Sequence, residues 1–404
     1  MTTQGIKNET LLVYLLAASE FCHVLDFVIM MPLAPTFMRE FSISAQQFAL
    51  LVSSYSLSAA LFAILVGLIA DFFERKKFLL IMFTGFIAGT VFCAMAQSYP
   101  QLMTARVITG AFGGVINVAI FSILAEIVPY ARRGRATGVV MSAFSMASVL
   151  GVPLGLTLAL AQGSSRAPFW AIALFASAIY LLILLIFPKL KEHLKENQSF
   201  QITHTLRRYL MVFTHPTHLQ SFFIVGILTF STFSLIPFIS PFAVNNLGIL
   251  EEDLRLIYLV GGFFTVLSSR LIGIACDHFG VLKVFLTVGL ASTLPMIGYT
   301  HLWPMPLYLI LTMTTLFMML ASGRFVPTMT LVTQIPPMDQ RATFMSILSS
   351  SRSFCMSCAA FLAGLFITTQ PDGSLQGYPQ VSYLSVSLTL LALFLFARLY
   401  QKVR

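Results

Sequence analysis

Long apolar runs separated by short polar segments dominate this chain of 404 residues. Each run approaches the roughly 20 apolar residues that a helix needs to cross the hydrocarbon core of a bilayer. The pattern therefore predicts an all-α integral membrane protein with twelve transmembrane helices. We number these helices as spans 1 to 12 and expect them at residues 11–38, 45–70, 78–97, 101–125, 137–161, 167–188, 218–245, 254–276, 283–301, 305–332, 343–368 and 380–400.

The pattern also repeats at a fixed offset of 206 residues. The segment that joins spans 2 and 3 has a similar copy between spans 8 and 9. The matching residues are Gly67 and Gly273, Asp71 and Asp277, Lys77 and Lys283, and the tripeptides that begin at Arg135 and Arg341. A shared offset predicts a duplicated chain with two pseudo-symmetric six-helix halves. We expect these halves at 1–188 and 218–404, joined by a basic cytosolic linker at 189–217.

Composition and charge agree with this architecture. Hydrophobic residues make up 57% of the chain, charged residues 10%, and the mean hydropathy is +0.88, which excludes a soluble protein of this size. Most of the 24 Lys and Arg residues fall in segments on the same side as both termini. The positive-inside rule therefore predicts cytoplasmic termini and a multi-pass protein of the plasma membrane, the inner membrane of a bacterium. The net charge of +9 then reflects contact with the lipid bilayer and gives no reason to expect nucleic acid.

The repeated segment resembles a known signature. A Gly-x-x-x-Asp sequence followed by a basic turn is similar to the loop between helices 2 and 3 of the major facilitator superfamily, which has a weaker copy between helices 8 and 9. Glu74 departs from the family, which usually has a glycine there, whereas the second copy keeps Gly280. The resemblance implies a secondary transporter that moves a small-molecule substrate by rocking its two halves. The cytosolic gate residues that it implies are Gly67, Asp71, Arg75, Lys76, Lys77, Gly273, Asp277 and Lys283.

Two further motifs extend this resemblance. The Leu-x-x-x-Arg106-x-x-x-Gly sequence of span 4 is similar to the helix-4 signature of the family. The sequence Gly151-Val-Pro153-Leu-Gly155 in span 5 resembles the glycine-proline signature of the drug/proton antiporter branch, in the form found in arabinose-efflux-type permeases. Glycines four residues apart allow close helix packing, and a proline loosens the local hydrogen-bond ladder. The alternative is that these glycines only pack against span 8 and have no role in the direction of transport.

Span 1 carries three ionisable side chains inside the predicted membrane, Glu20, His23 and Asp26. Spaced three residues apart, they lie within about 120° of one helix face. At about 1.5 Å per residue, Asp26 and the Arg106 of span 4 share a depth, so we expect them to form an ion pair that protonation and substrate make and break. Glu20 and His23, near the midplane, are the other proton-coupling candidates. The alternative is that these groups only satisfy one another and hold span 1 in place.

Three arginines are predicted within the spans of the C-terminal half. Arg352 lies near the middle of span 11 and is our substrate-cavity candidate, since no acidic residue is expected inside this half to neutralise it. It either reaches across the cavity to Glu20 or Asp26, or meets an anionic group of the substrate. Arg270 and Arg324 fall towards the cytosolic ends of their spans, where we expect them to snorkel or to cap a gate.

Other classes of function lack their motifs in the sequence. There is no phosphate-binding loop for ATP, no His-Glu-x-x-His or comparable metal cluster and no Gly-x-Ser-x-Gly elbow, so we expect neither an enzyme nor a metal or other cofactor. The sequence thus predicts a proton-coupled exporter of a small organic molecule (a drug, sugar or metabolite) that can work as a monomer. Two alternatives stay open: an importer or facilitator of a polar metabolite, and a membrane sensor or channel on the same scaffold.

Overall fold

The computed structural model describes residues 9–67, 73–190, 202–337 and 340–403. The N-terminal half consists of the helices Glu9–Ile29 and Ala34–Glu40 (span 1), Ala45–Gly67 (span 2), Arg75–Met95 (span 3), Tyr99–Ile127 (span 4), Tyr130–Met146 with a π-helical turn Ala147–Gly151 and Val152–Gln162 (span 5), and Ala167–Ile186 (span 6).

After the linker helix Ile202–Thr214, the C-terminal half consists of Pro216–Phe233, a 3₁₀ turn Ile236–Phe238 and Ile239–Asn245 (span 7), a 3₁₀ turn Glu251–Asp253 and Leu254–Phe279 (span 8), Val281–Thr300 (span 9), Leu307–Gly323 and Phe325–Val332 (span 10), Arg341–Phe366 (span 11) and Tyr378–Val403 (span 12).

Within these described ranges, eleven of the spans are long and apolar enough to cross a membrane. Span 11 is 26 residues long and packs against spans 2 and 7, but it is more polar because it contains Arg352 and several serines. The predicted all-α fold with twelve spans in two halves is confirmed. Since the number of crossings is even, both termini lie on one side, which we call the terminal side. The opposite side, which carries Arg39 and Glu251, is the far side.

Three spans are interrupted where the sequence analysis predicts continuous helices. Span 1 stops at Ile29 and resumes at Ala34, on either side of Pro32. Span 7 tightens into a 3₁₀ turn around Pro237. In both places the proline has no N–H to donate to the helical ladder. Span 10 is divided at Arg324, which separates its two helices.

A short hairpin between spans 11 and 12 is absent from the sequence prediction. Strand β1 (Thr368–Thr369) pairs antiparallel with strand β2 (Leu375–Gln376). In the turn, the carboxylate of Asp372 accepts hydrogen bonds from the hydroxyl and the backbone N–H of Ser374, which hold the pKa of Asp372 below its ordinary value. Strands of two residues are too short to show an alternating pattern in the sequence.

Spans 2 and 4 approach each other closely because span 4 presents glycines to its neighbour. A Cβ atom on Gly110 would lie 2.3 Å from the carbonyl oxygen of Tyr55, and one on Gly114 would lie 2.6 Å from the Cβ of Ala59. This close contact brings the ring of Tyr55 beside Arg106 at the centre of the N-terminal half.

The two halves contact each other most extensively through two pairs of spans, and spans 1 and 7 also meet. Span 11 packs along span 2, and midway along both helices the hydroxyl of Ser357 donates a hydrogen bond of 2.8 Å to the carbonyl oxygen of Ser53. Span 8 meets span 5 at the π-helical turn, where a Cβ atom on Gly262 would lie 3.2 Å from Val149 Cγ2. These contacts with span 8 involve the part of span 5 that runs from this turn to the far side.

The linker helix Ile202–Thr214 lies between the two halves in the chain. Tyr209 faces the protein and donates a hydrogen bond of 3.4 Å to the hydroxyl of Ser346 in span 11. Leu210, one position further on, is 54% exposed, as expected of an amphipathic helix at a membrane surface. Residues 191–201 of the predicted linker lie outside the described residues, so the predicted boundaries of the linker and of the two halves stay a prediction.

Candidate proton-coupling and substrate site

An ion pair connects spans 1 and 4 inside the N-terminal half. Asp26 and Arg106 are both 0% exposed, and Arg106 Nη1 donates a hydrogen bond of 2.7 Å to Asp26 Oδ2. The hydroxyl of Thr90 in span 3 donates a further bond of 3.1 Å to Asp26 Oδ1. The contact that we predict from helix depth is therefore present.

The pair leaves part of the guanidinium group unsatisfied. The guanidinium carbon of Arg106 lies 4.2 Å from the ring centroid of Tyr55, a cation–π contact. Arg106 Nε and Nη2 and the hydroxyl of Tyr55 are buried and have no hydrogen-bond partner among the described residues. Buried polar groups are normally bonded, and an exception of this kind marks a place where water, a ligand or a second conformation supplies the missing partner.

Glu20 and His23 lie closer to the terminal side on the same helix. Glu20 is 8% exposed, and its Oε1 accepts a hydrogen bond of 2.8 Å from Nδ2 of Asn117 in span 4. Its Oε2 and both ring nitrogens of His23 are buried without a partner in the described part of the chain. His23 packs between the rings of Tyr55 and Phe86, at 6.4 and 6.3 Å between centroids. The trio therefore does not satisfy itself, because Glu20 and Asp26 each bond to span 4 instead. The sequence analysis misses Asn117, since an amide in an apolar helix gives no pattern.

Arg324 corrects an expectation of the sequence analysis. It is 0% exposed and does not snorkel to the headgroups. Nη2 donates to the hydroxyl of Thr232 at 2.7 Å, and Nη1 donates to the hydroxyls of Thr389 at 2.6 Å and Ser231 at 3.4 Å. Because these acceptors come from spans 7 and 12, the hydroxyls hold the cation inside the bundle. Arg270, by contrast, is exposed as expected.

The repeat aligns Asp26 with a hydroxyl that binds Arg324. Thr232 lies 206 positions after Asp26, which is the offset of the internal repeat. The arginines are not aligned in the same way, because the position 206 residues after Arg106 is Thr312, and Arg324 lies 12 residues further on. At the position of Asp26, a carboxylate is therefore present only in the N-terminal half.

Arg352 makes neither of the ion pairs considered for it. It does not reach Glu20 or Asp26, which bond to Asn117 and Arg106. Its guanidinium carbon lies 5.5 Å from the ring centroid of Phe325 in span 10, and its Nε is buried without a partner among the described residues.

The first predicted gate loop binds within its own half. Arg75 Nε lies 3.5 Å from Glu126 Oε2 at the end of span 4. Lys76 Nζ donates hydrogen bonds of 2.9 and 2.7 Å to the carbonyl oxygens of Leu184 and Phe187, which end span 6 and favour a cation there. Lys77 is exposed. Asp71 lies outside the described residues.

Glu74, which departs from the family pattern, is 6% exposed and has a structural partner. Its Oε1 accepts a hydrogen bond of 3.0 Å from the backbone N–H of Leu190, while the N–H of Arg75 donates to the carbonyl of Leu190 at 3.2 Å. The loop is thereby fixed to the segment that follows span 6. Gly67 approaches the linker helix and span 11, since a Cβ there would lie 3.4 Å from the hydroxyl of Tyr209 and 3.9 Å from that of Ser346.

The second predicted gate loop is largely exposed. Asp277 and Lys283 are exposed, and a Cβ on Gly273 would meet nothing within 4 Å. Gly280 has a φ of +85°, which explains why this copy keeps the glycine of the family. The role of both loops as gates stays a prediction.

The glycines of the glycine-proline motif of span 5 lie against span 1. A Cβ on Gly151 would lie 2.7 Å from Leu25 Cδ1, and one on Gly155 would lie 2.7 Å from Ile29 Cδ1. The segment that contains the motif also packs against span 8, so the alternative that the glycines serve packing alone stays open. The π-helical turn Ala147–Gly151 ends directly before the helix that contains Pro153, in agreement with the loosened ladder that the proline predicts.

The fold and the site together define a class of protein. Two pseudo-symmetric helical halves that meet around buried ionisable groups are the architecture of a membrane transporter and not of an enzyme. The family model described as the Major Facilitator Superfamily matches residues 16–235, and the chain belongs to this superfamily.

Known relatives and structures agree with this assignment. Over 372 residues, the chain is 24% identical to the uncharacterized MFS-type transporter YceJ of Bacillus subtilis, with 90% of this chain and 91% of that protein covered. Over 112 residues it is 32% identical to multidrug resistance protein 3 of the same organism, which covers 28% of this chain and 22% of that protein.

Among solved structures, a bacterial homologue of the human lysosomal transporter Spinster, in an inward-facing and unoccupied conformation, superposes with a TM-score of 0.77 at 18% identity and 99% coverage of both chains. A D-xylose-proton symporter superposes with a TM-score of 0.76 at 15% identity, covering 95% of this chain and 96% of that one. At these identities the structures support the fold alone.

Proposed function

We propose that this transporter exports a small organic molecule in exchange for protons. The observation that carries the proposal is the set of two buried carboxylates on span 1, Asp26 and Glu20, each bonded to span 4. A buried carboxylate with few partners is costly in its charged form, and ionisable groups inside membrane helices are usually functional. The glycine-proline motif of span 5, which contacts span 1 directly, also supports the antiporter branch.

The ion pair connects protonation to helix movement. With Asp26 ionised, the attraction between its carboxylate and Arg106 holds spans 1 and 4 together. Protonation of Asp26 removes this attraction, and the unpaired Nε and Nη2 atoms of Arg106 then become available to a different partner. A proton and a substrate that compete for these groups bind alternately. Each one lowers the affinity of the protein for the other by the same factor.

The far side is closed in this structure. Both oxygens of the Glu251 carboxylate accept hydrogen bonds from Arg39, and Glu251 Oε2 also accepts one of 3.1 Å from the hydroxyl of Thr36. Deeper in the same interface, Ala49 is 1% exposed and faces Gly364. Transport requires these contacts between the halves to open.

Reversing the charge of Arg39 is expected to open the far side more often. We expect Arg39→Glu to increase the labelling of a cysteine placed at Ala49 by a membrane-impermeant maleimide, in a background without the native cysteines. The increase should be a few-fold at most, because an exposed ion pair contributes roughly 1 kcal/mol or less. The double variant Arg39→Glu with Glu251→Arg should return to the original rate. Equal labelling in all three proteins would show that this ion pair does not close the far side.

The distribution of basic residues supports the orientation that we propose. Arg75, Lys76, Arg132 and Arg133 lie on the terminal side. Since short cytosolic loops are rich in Lys and Arg, we propose that this side faces the cytosol and that the protein lies in the inner membrane of a bacterium. Because one chain contains both halves, we also propose that a monomer is sufficient for transport.

The test of this function is proton release from energised inverted vesicles that contain the protein. A panel of drugs, sugars and amino acids would be added to vesicles with the wild-type chain, Asp26→Asn or Glu20→Gln. We expect at least one compound to release protons in the wild type and in neither variant. Release that persists in both variants would contradict a proton site on span 1. If the wild-type protein transports compounds of the panel but none of them releases protons, the protein is a facilitator.

A further inference from the structure

The side chain of Arg352 packs against a neighbouring span. Arg352 is partly exposed, and its guanidinium carbon lies 5.5 Å from the ring centroid of Phe325 in span 10. Phe354 and Phe361, which are 51% and 43% exposed, lie roughly opposite to Arg352 at about 100° per residue. Span 11 packs against span 2 of the other half and span 7 of its own half, so Arg352 lies on a helix that joins the two halves.

The guanidinium group of Arg352 lacks acceptors at this position. It forms no hydrogen bond or ion pair with any residue in the described part of the chain, and its Nε is buried. The ring face of Phe325 covers one side of it. None of the described Asp and Glu residues of the C-terminal half is buried, whereas Arg324 is a buried cation in the same half. A guanidinium group has only donors, so an anionic partner is the missing component.

Glu20 occupies the matching position on the opposite half. Phe27 marks the side of span 1 that faces the C-terminal half, because its ring centroid lies 6.3 Å from that of Phe233 in span 7. Glu20 precedes Phe27 by seven residues and so lies within about 20° of the same face. Its Oε1 is bonded only to the neutral amide of Asn117, and its Oε2 has no partner in the described ranges.

The two groups also share a depth. Glu20 lies eleven residues after Glu9, whose carboxylate accepts a hydrogen bond from Arg132 on the terminal side, and Arg352 lies eleven residues after Arg341, where span 11 begins on the same side. At about 1.5 Å per residue, both lie about 16 Å from these positions along their helices. One carboxylate and one guanidinium group, neither neutralised by an opposite charge, thus lie at one level on spans that contact the opposite half.

We propose that the substrate is a small zwitterion with an amine and a carboxylate, such as an amino acid. Its carboxylate binds Arg352 and its ammonium group binds Glu20. A substrate with a single charge would leave either Glu20 or Arg352 without a partner of opposite charge. This inference rests on the proposed function and also fits its direction of exchange, because the ammonium group and a proton compete for Glu20. A purely anionic substrate would bind better when Glu20 is protonated, and proton and substrate would then travel together.

Binding to the full-length protein in lipid nanodiscs tests this inference by calorimetry at neutral pH. The probes are the common amino acids and, for each one that binds, its methyl ester, which keeps only the cation, and its N-acetyl derivative, which keeps only the anion. We expect at least one amino acid to bind, and its two derivatives to bind at least about tenfold more weakly, as expected for the loss of one desolvated charge pair.

Two variants assign the ends of the ligand. In Arg352→Gln, the amino acid and its N-acetyl derivative should lose at least about tenfold in affinity, while the ester should bind as it does to the wild type, which also shows that the variant is folded. In Glu20→Gln, the ester should lose affinity and the N-acetyl derivative should not. Arg398→Gln, which removes an exposed arginine from the same half, is the matched control and should leave all affinities unchanged.

Three results would overturn the inference: no amino acid binds, an ester or N-acetyl derivative binds as tightly as its amino acid, or Arg352→Gln leaves the affinity for the amino acid unchanged. These measurements use no proton gradient, so they do not depend on coupling. A protein that releases protons with other compounds but binds no amino acid would keep the proposed function and lose this substrate class. Selective binding of an amino acid over its two derivatives, without any proton release, would keep this substrate class and lose the proposed function.

Discussion

Arg106→Gln is expected to destabilise the protein strongly, because it leaves the carboxylate of Asp26 without a cation at a site that is 0% exposed. Removing one partner of a buried ion pair typically costs about 3–5 kcal/mol, much of it from the charge that remains. Thr90 alone would then donate to the carboxylate. Thermal unfolding of the detergent-purified protein measures the effect, and Arg398→Gln serves as the control that removes an exposed arginine.

The double variant Asp26→Asn with Arg106→Gln separates stability from transport. We expect it to regain most of the lost stability, since no uncompensated charge remains, but to transport no better than either single variant. The effects of substituting two residues in contact do not simply add, and the sign of the difference from the sum shows how the residues depend on each other. If the double variant lost the sum of the two single losses in both stability and transport, the pair would not act as a unit.

Gly110→Ala is expected to be the most damaging substitution of a single methyl group in the N-terminal half. The new Cβ atom would lie 2.3 Å from the backbone carbonyl oxygen of Tyr55 and 2.4 Å from the hydroxyl of Ser58. Backbone cannot move aside as the end of a flexible side chain can, so spans 2 and 4 must separate. Overpacking of this kind costs about 1–3 kcal/mol or more, and the separation also removes the ring of Tyr55 from Arg106.

Gly138→Ala is the matched control, because a Cβ on Gly138 in span 5 would meet nothing within 4 Å. In a helix this change is expected to be neutral or to stabilise by roughly 0.5–1 kcal/mol. The yield of monodisperse protein and its unfolding temperature report both effects. Similar values for the two alanine variants would mean that the close contact of spans 2 and 4 is not required.

The sequence predicts the larger features of this fold because they depend on length and hydropathy. Apolar runs of about 20 residues and a repeat of 206 residues are sufficient to define twelve spans in two halves. The contact between Asp26 and Arg106 was also predictable, since a constant rise per residue gives depth directly. Its role in proton coupling remains a proposal.

Other features depend on packing that no local pattern records. The burial of Arg324 was missed because depth along a helix does not specify which face the side chain leaves from, and its hydroxyl acceptors come from other spans. The partner of Glu20, Asn117, is a single amide in an apolar helix. The ion pair of Arg39 and Glu251 joins residues 212 positions apart, and surface charges have many potential partners.

Uphill transport in proteoliposomes tests the central claim most directly. A compound that releases protons in the vesicle assay would be offered to liposomes under an imposed pH gradient, with the wild-type chain or Glu20→Gln. The account predicts that the wild type concentrates the compound against its gradient, while Glu20→Gln at most equilibrates it. If Glu20→Gln concentrated the compound as well as the wild type does, the carboxylate of Glu20 would not carry the coupled proton.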